Sequence, residues 1–563
     1  MNVDRLLQLY EKVADTPEAV PRLRQFVLDL AVRGKLIPQD PSDEPASELL
    51  KRIVAVNARL KVKHSSTPVA GEEFPFPLPK GWTWSRIGDL CSKTGSGSTP
   101  RGGKEVYKTT GVPFLRSQNV YDDGLRLADV AYIDEEVHER MAGTKVVAAD
   151  LLLNITGGSI GRCCRVPDDF GEANISQHVA IIRPSAEGMS DFLHKLILSP
   201  YFQDFIFGGQ TGAGRGGLPK NRMDRIIVAL PPLPEQQRIV ARVDELMALL
   251  DRLETARLQR EASRDRLATA SLARLTGPAA TTEDFAASAR FALVALPALT
   301  TRSDQIKQLR QTILNLAVRG KLAEQDPNDE PVILPQSGRV NCPEPLPTTW
   351  HYTRLVHLLA ENTRNGYSRR PDDADNGVPI LRISAGTVRQ DGIVAEEEHK
   401  LISGIDDATR IQYNLQRGDL LACRFNGNRA FVGRLTLFDD YLRLNPIYPD
   451  KLIRVRLDRR FALPEFIRLA GESELVRGNI EAFCATTVGN WGISASNLKE
   501  VPFPLPPLAE QHRIVAKVDA LLALCDSLEA ALNRVDTTRA RLLNSLLHEA
   551  LPPATETQQE AAE

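Results

Sequence analysis

The sequence predicts an α+β chain: two globular domains separated by long antiparallel coiled-coil helices, with an internal pseudo-two-fold repeat. Three observations predict it. Residues 23–45 read LRQFVLDLAVRGKLIPQDPSDEP and return at 309–331 as LRQTILNLAVRGKLAEQDPNDEP. Residues 230–251 read LPPLPEQQRIVARVDELMALLD and return at 505–526 as LPPLAEQHRIVAKVDALLALCD. In mid-chain the second block precedes the first, whereas at the ends the two are split between the termini. That order makes sense if the termini come together and rebuild the central module, and a repeat of this kind fixes the architecture before any local reading.

The helical elements follow from the spacing of apolar residues. Ile239, Val243, Leu246, Leu250 and Leu253 step by four and three, and Ile514, Val518, Leu521, Cys525 and Leu528 keep the same rhythm. This is a heptad seam. A helix of about 40 residues would span about 60 Å. Shorter helices carry Val20, Leu23, Val27 and Leu30, and again Ile306, Leu309, Ile313 and Leu316. Gly34 and Gly320 suit left-handed caps at their ends. Thr16-Pro17 and Ser303 are candidate starts. By this pattern helix 17–34 packs on helix 510–547 as helix 303–320 packs on helix 235–275.

Between the helical modules lie segments of mixed character. Each opens with a tryptophan after Leu-Pro, at 78–90 and 346–358. Each has a Pro-apolar-Leu-Arg strand, ending at Arg116 and Arg382, and an Asp-Leu-Leu strand starting at Asp150 and Asp419. Short β-branched runs between turn clusters indicate α+β domains. Elsewhere the two segments differ widely, so one fold occurs twice with different surfaces. The predicted organisation is a helical region at 1–74 that pairs with the C-terminal helix, a globular domain at 75–232, a helical spacer at 233–342, a second globular domain at 343–507, a spacer helix at 508–550 and a disordered tail at 551–563.

Bulk properties exclude several classes. With 563 residues the chain is too long for one core. It is 42% apolar and 25% charged, as soluble globular proteins are. A net charge of −2 gives no global nucleic-acid signal, so any basic surface is local. No apolar run reaches the length of a membrane span, and the first residues, MNVDRLLQLYEK, carry acids unlike a secretory signal. Seven scattered cysteines without a CxxC pair indicate a reducing compartment, with small buried thiols. A cytoplasmic location is expected.

The two LPPLxEQxRIV segments, the LAVRGKL helix ends at 30–36 and 316–322, and the split-repeat order together resemble the DNA-specificity subunit of type I restriction-modification systems. The similarity covers about residues 15–550. The resemblance implies that 75–232 and 343–507 are target-recognition domains, each reading one half of an interrupted, asymmetric site in double-stranded DNA. It further implies a non-catalytic subunit of an N6-adenine methyltransferase and endonuclease for phage defence. The helices would hold the half-sites apart and dock two methyltransferase subunits, which ATP-dependent restriction subunits would join. S-adenosylmethionine, ATP and Mg would belong to those partners, with no cofactor or metal in this chain.

Candidate DNA contacts follow from chemistry, because loops rich in Arg, Lys, Asn, Gln and Ser/Thr supply phosphate and base-edge contacts. In the first domain these are Lys93, Ser98, Thr99, Arg101 and Lys104 of a Gly-rich loop; Arg116, Gln118 and Asn119 after a strand; and Arg215, Lys220 and Asn221 of a second Gly-rich loop. In the second they are Arg364, Asn365, Tyr367, Arg369 and Arg370, then Arg382, then Arg424, Asn426, Asn428 and Arg429, and a late loop at Thr486–Asn490 with Trp491.

Other motifs fail on context. Gly212 to Gly217 satisfies GxGxxG but follows a helical stretch without a βαβ unit. Gly97 to Lys104 lacks the spacing and the Ser/Thr of a phosphate loop. Asn445-Pro-Ile-Tyr448 resembles an adenine-methyltransferase loop but lacks its second proline and a cofactor motif. Asp391, Glu398 and Lys400 echo a nuclease site only loosely. Nine histidines show no metal spacing. Two alternative functions follow: a self-contained DNA methyltransferase using Asn445–Tyr448, and a coiled-coil scaffold that does not touch DNA.

Overall fold

The computed structural model describes residues 16, 18–62, 74–207, 217–277, 282–334, 340–372, 375–487 and 489–550. The first residues and the tail at 551–563 lie outside them. Among the described residues no helix is long and apolar enough to cross a membrane. The chain divides into two units, 1–260 with 536–563, and 261–535. The division falls within two helices of the expected length, α2 (Leu233–Thr276) and α4 (Leu508–Ala550). The short helices are α1 (Ala19–Val32) and α3 (Ser303–Ala317). Gly34 and Gly320 do adopt left-handed φ, +65° and +66°, and an added Cβ would lie 2.4 Å from Pro79 Cγ and Pro347 Cγ respectively. Ser303 begins α3, but Arg302 holds the cap position, its N–H taken by Gln305.

In the first unit β1 (Thr83–Arg86) pairs antiparallel with a strand at Ile227–Leu230. Two four-stranded sheets follow. One contains β2 (Cys91–Ser96), β6 (Leu151–Asn154), β7 (Cys163–Arg165) and β9 (Val179–Pro184) in the order β2-β9-β6-β7. The other contains β3 (Val112–Leu115), β4 (Ala131–Ile133), β5 (Lys145–Val146) and β8 (Ala173–Ile175) in the order β4-β3-β8-β5. The strand at Ile227–Leu230 is β10. Side chains alternate across β6: Leu151 and Leu153 join Phe192 and α1, while Leu152 faces the second sheet with Leu115 and Ile175. A strand buried on both faces needs a continuous apolar run, which is what Asp-Leu-Leu-Leu supplies.

The second unit repeats the plan. Strand β11 (His351–Arg354) pairs with Pro502–Leu505 as β1 pairs with β10. Strands β12 (Arg364–Asn365), β15 (Leu420–Cys423), β17 (Leu435–Leu437) and β18 (Leu452–Val455) form a sheet in the order β12-β18-β15-β17. Strands β13 (Val378–Leu381) and β14 (His399–Ile402) pair, and β16 (Phe425–Asn426), β19 (Ala485–Thr487) and β20 (Asn490–Gly492) form a small sheet; Pro502–Leu505 is β21. Again Leu420 and Ala422 face the helices while Leu421 faces Leu381 and Tyr448.

The same polar contacts lock both frames. Trp82 Nε1 donates to Glu235 Oε2 at 3.0 Å, and Trp350 Nε1 to Glu510 Oε2 at 2.9 Å. Burial pushes both carboxyls above the usual range, and the indole donors pull them partly back. Arg183 clamps Asp150 through two bonds of 2.7 Å, and Arg456 clamps Asp419 identically. Arg238 meets Asp43 as Arg513 meets Asp329. The duplicated letters of the sequence are thus duplicated contacts.

The seams find partners other than those expected. Ile239 and Val243 lie with Val27, Leu28 and Ala31 of α1, and Leu250 lies with Val20 and Leu23. In the second unit Ile514, Val518 and Cys525 lie with Ile306, Ile313 and Ala317 of α3. The expected pairings occur at the far ends of the long helices, where Ala19 of α1 meets Leu543 and Leu546, and Leu316 of α3 lies with Leu272 and Leu275 of α2. The reason is covalent: β10 and β21 lead into the long helices, so their pairing with β1 and β11 fixes which long helix starts beside which short one. Heptad spacing, equal in both long helices, could not choose between them.

The copies diverge directly after the QDPxDEP block. Ala46–Arg59 is a helix in the first unit, whereas 331–334 is irregular, with Val332 and Leu334 in the core of the second. A helix at Thr282–Leu299, packed through Ala292 on Leu272 and Leu275, precedes α3. Five of the seven cysteines are buried and all are free thiols; burial raises Cys164 to about 12.

Candidate nucleic-acid interface

In the first unit five chain segments converge on one sheet edge, tied by main-chain hydrogen bonds. Gly97 N–H donates to Val179 O at 2.9 Å and Ser98 N–H to Ile175 O at 3.2 Å. Ser176 N–H donates to Leu115 O, Ile155 N–H to His178 O, and Leu218 N–H to Ile155 O. Asn154, fully buried, sends its amide to Ser117 O at 2.9 Å. Side chains of 96–99, 116–118, 155–156, 176–178 and 217–221 therefore stand on a rigid base, as polar recognition groups must.

Several expected residues are on this edge. Ser98, Thr99, Gln118, Lys220 and Asn221 are exposed there. Lys220 donates to Thr94 Oγ1 at 2.5 Å and pairs with Asp224. Arg116 reaches Asp129 O at 2.9 Å, so one of its donors is already taken. Arg101 is exposed beyond Gly97. Sequence reasoning missed Thr156, Gln177 and His178, which the edge places at its centre; a lone histidine after a buried strand gives no pattern to find.

Two assignments are corrected. Lys93 is not in a loop: it lies on β2 opposite Arg183, three residues from the edge, and burial lowers its affinity for a proton. Asn119 is buried, its oxygen accepting from Arg116 N–H and its amide donating to Arg126 O, so it shapes a turn. The glycine of the supposedly flexible loop has a steric duty as well. A Cβ at Gly97 would lie 2.1 Å from Ile175 O, so only glycine lets these segments cross. Arg215 and the side chain of Lys104 lie outside the described residues.

The second unit builds the corresponding edge. Gly366 N–H donates to Leu452 O, Tyr367 N–H to Tyr448 O, Arg424 N–H to Lys451 O and Ile493 N–H to Arg424 O. A Cβ at Gly366 would lie 2.2 Å from Tyr448 O, the same crossing as at Gly97. Here the edge is cationic and aromatic. Arg424 and Lys451 lie 4.7 and 5.1 Å from the Phe425 ring centre, and Arg429 lies 4.8 Å from that of Trp491. Phe425 faces Gly492 across the β16–β20 pair as Thr156 faces Gly217.

The remaining expected residues divide. Arg369 and Arg370 are exposed, Arg369 beside Asp372 at 3.1 Å. Arg382 is half-exposed and faces Glu398 at 3.7 Å. Arg364 donates to Gln412 O at 3.1 Å, and Tyr367 packs edge-on against Tyr413. Asn365 Oδ1 is buried without a partner. Asn426 and Asn428 turn their oxygens back to Asn428 N–H and Ala430 N–H, which holds the loop that carries Arg429. In the Asn445–Tyr448 motif Ile447 and Tyr448 are fully buried, and the tyrosine hydroxyl donates to Arg364 O at 3.2 Å. That tyrosine cannot receive an extruded base.

Comparison with known proteins agrees with this geometry. The profile described as "Type I restriction modification DNA specificity domain" matches residues 79–261 and 480–535. The chain is 28% identical over 569 residues, 94% of each chain, to the type I restriction enzyme EcoEI specificity subunit of Escherichia coli. It is 27% identical to the EcoKI specificity subunit of Escherichia coli strain K12, over 84% of this chain and 89% of that one. A chain from a solved type I R-M system superposes with a TM-score of 0.50 at 19% identity, covering 84% of this chain and 99% of its own, a likeness of fold. With its duplicated frame and paired edges, the chain is similar over most of its length to type I restriction enzyme DNA-specificity subunits.

Proposed function

We propose that this chain is the non-catalytic DNA-recognition subunit of a type I restriction-modification complex, and that each unit's edge reads one half of a bipartite, asymmetric site. One observation carries the reading: the same main-chain frame occurs twice and presents different side chains at the same positions. A scaffold without DNA contact has no use for that pattern. Residues 75–232 and 343–507 are the proposed recognition domains, with Arg101, Lys220, Arg369 and Arg370 as phosphate contacts and Arg424, Arg429 and Trp491 nearer the bases. Phosphate contacts set affinity and base contacts set specificity. Two methyltransferase subunits would dock on the duplicated helices, extrude the target adenines and supply the S-adenosylmethionine. ATP and Mg would serve the restriction subunits.

The test is a domain exchange. The chain is assembled with its modification subunits, and the methylated site is read by methylation-sensitive sequencing. Replacing 75–232 by the matching domain of another such subunit should change one half of the site. A change in both halves would refute the assignment of one domain to each half-site.

A further inference from the structure

We infer that Thr156 with His178, and Phe425 with Lys451, are the specificity-determining pairs of the two half-sites. The inference rests on the reading of these edges as DNA-binding surfaces and narrows it to two positions per unit.

The positions are equivalent by hydrogen bonding, independently of any side-chain likeness. The residue before Thr156 donates its N–H to His178 O, and the residue before Phe425 donates its own to Lys451 O. Thr156 and Phe425 each face a glycine, Gly217 and Gly492. Both positions follow strands that are fully buried, Leu151–Asn154 and Leu420–Cys423. Their backbone cannot shift to suit a ligand, so what is read depends on the side chains alone.

Those side chains differ in kind. Thr156 Oγ1 and His178 Nδ1 share a hydrogen bond of 2.6 Å, with Gln177 Nε2 at 3.5 Å from the other ring nitrogen. This group offers donors and acceptors side by side. It matches the major-groove edge of an adenine, an N7 acceptor beside an N6 donor. Lys451 offers donors only, and the Phe425 face holds its ammonium with Arg424 alongside. Donors alone match guanine, whose O6 and N7 both accept. The first unit thus reads an adenine and the second a guanine at corresponding places in their half-sites.

The experiment is selection from a randomised duplex library by the full chain assembled with its modification subunits. The double variant Thr156→Ala, His178→Ala should lose roughly ten- to hundredfold of its preference at one or two adjacent base pairs of one half-site. Lys451→Ala should lose its guanine in the other half only, and Lys451→Arg, which keeps the donors, should retain it. All variants should keep the wild-type slope of affinity against salt. If the wild type selects a bipartite site and the alanine variants select the same one, the pairs do not determine specificity, although DNA reading stands. Uniform weakening on all sequences with a shallower salt slope would make them phosphate contacts and overturn the inference. If the wild-type assembly selects no sequence, the inference falls together with the proposed function.

Discussion

The two units agree where they are built and differ where they end. Trp82 with Glu235 and Arg183 with Asp150 are reproduced, bond for bond, by Trp350 with Glu510 and Arg456 with Asp419. A few residues beyond those bonds, Thr156 and His178 stand where Phe425 and Lys451 stand. The frame and the edge are therefore separable. Buried pairs fix the ends of the strands, and the exposed side chains there can change without loss of the fold. On the proposed reading, this separation would let one fold serve twice in a chain for two different half-sites.

The comparison can be broken most sharply at the core clamps. Asp150→Ala leaves Arg183 without its carboxylate against the packed sheet, and should cost about 3–5 kcal/mol in chemical denaturation. Asp419→Ala should cost less, because Arg456 keeps Glu361 at 2.8 Å. A D419A loss equal to or larger than that of D150A would show that the Glu361 contact does not support Arg456 once Asp419 is gone.

Next come the tryptophan donors. Trp82→Phe keeps most of the ring packing but leaves the buried Glu235 carboxylate only its second donor, Gln39, and should cost about 1.5–3 kcal/mol at neutral pH. The pH dependence has a defined sign. Burial raises the folded-state pKa of Glu235, so its contribution is fully present below the unfolded value of about 4.3 and is lost as pH rises through the higher folded value. Without the indole N–H the folded value rises further. The deficit of W82F should therefore shrink when unfolding is measured near pH 4, and W350F should behave alike through Glu510.

A smaller effect is expected at the helix ends. Gly34→Ala and Gly320→Ala each force a side chain into left-handed backbone against a proline, and should each lower stability by about 1–2 kcal/mol. Unequal losses would place a difference in the frame where contacts now match.

The smallest effect on folding, and none on specificity, is expected at the exposed arginines. Arg101→Ala, or Arg369→Ala with Arg370→Ala, should leave the melting temperature unchanged. Each should lower the slope of log K against log salt by about 0.9 per lost phosphate contact. A wild-type slope would make these residues solvated loop side chains.

The repeat, its circular order, the helices and the strands at Asp150 and Asp419 were legible in the sequence, because heptad spacing and continuous apolar runs are local consequences of burial. So were Gly34 and Gly320, since the left-handed residue that closes a helix is most often glycine. The pairing of long and short helices was not legible, because both long helices carry the same seam and β-pairing elsewhere decides between them. Nor were the edge residues. Lys93 and Asn119 looked like loop contacts, but strand register turned one inward and a turn absorbed the other. Thr156 meets His178, and Phe425 meets Lys451, only after strands distant in sequence have paired. The sequence by itself determined that one frame is built twice, since burial writes itself into spacing. Which side chains stand together at its edges was decided by the tertiary structure alone, because that depends on register between strands and leaves no periodic trace along the chain.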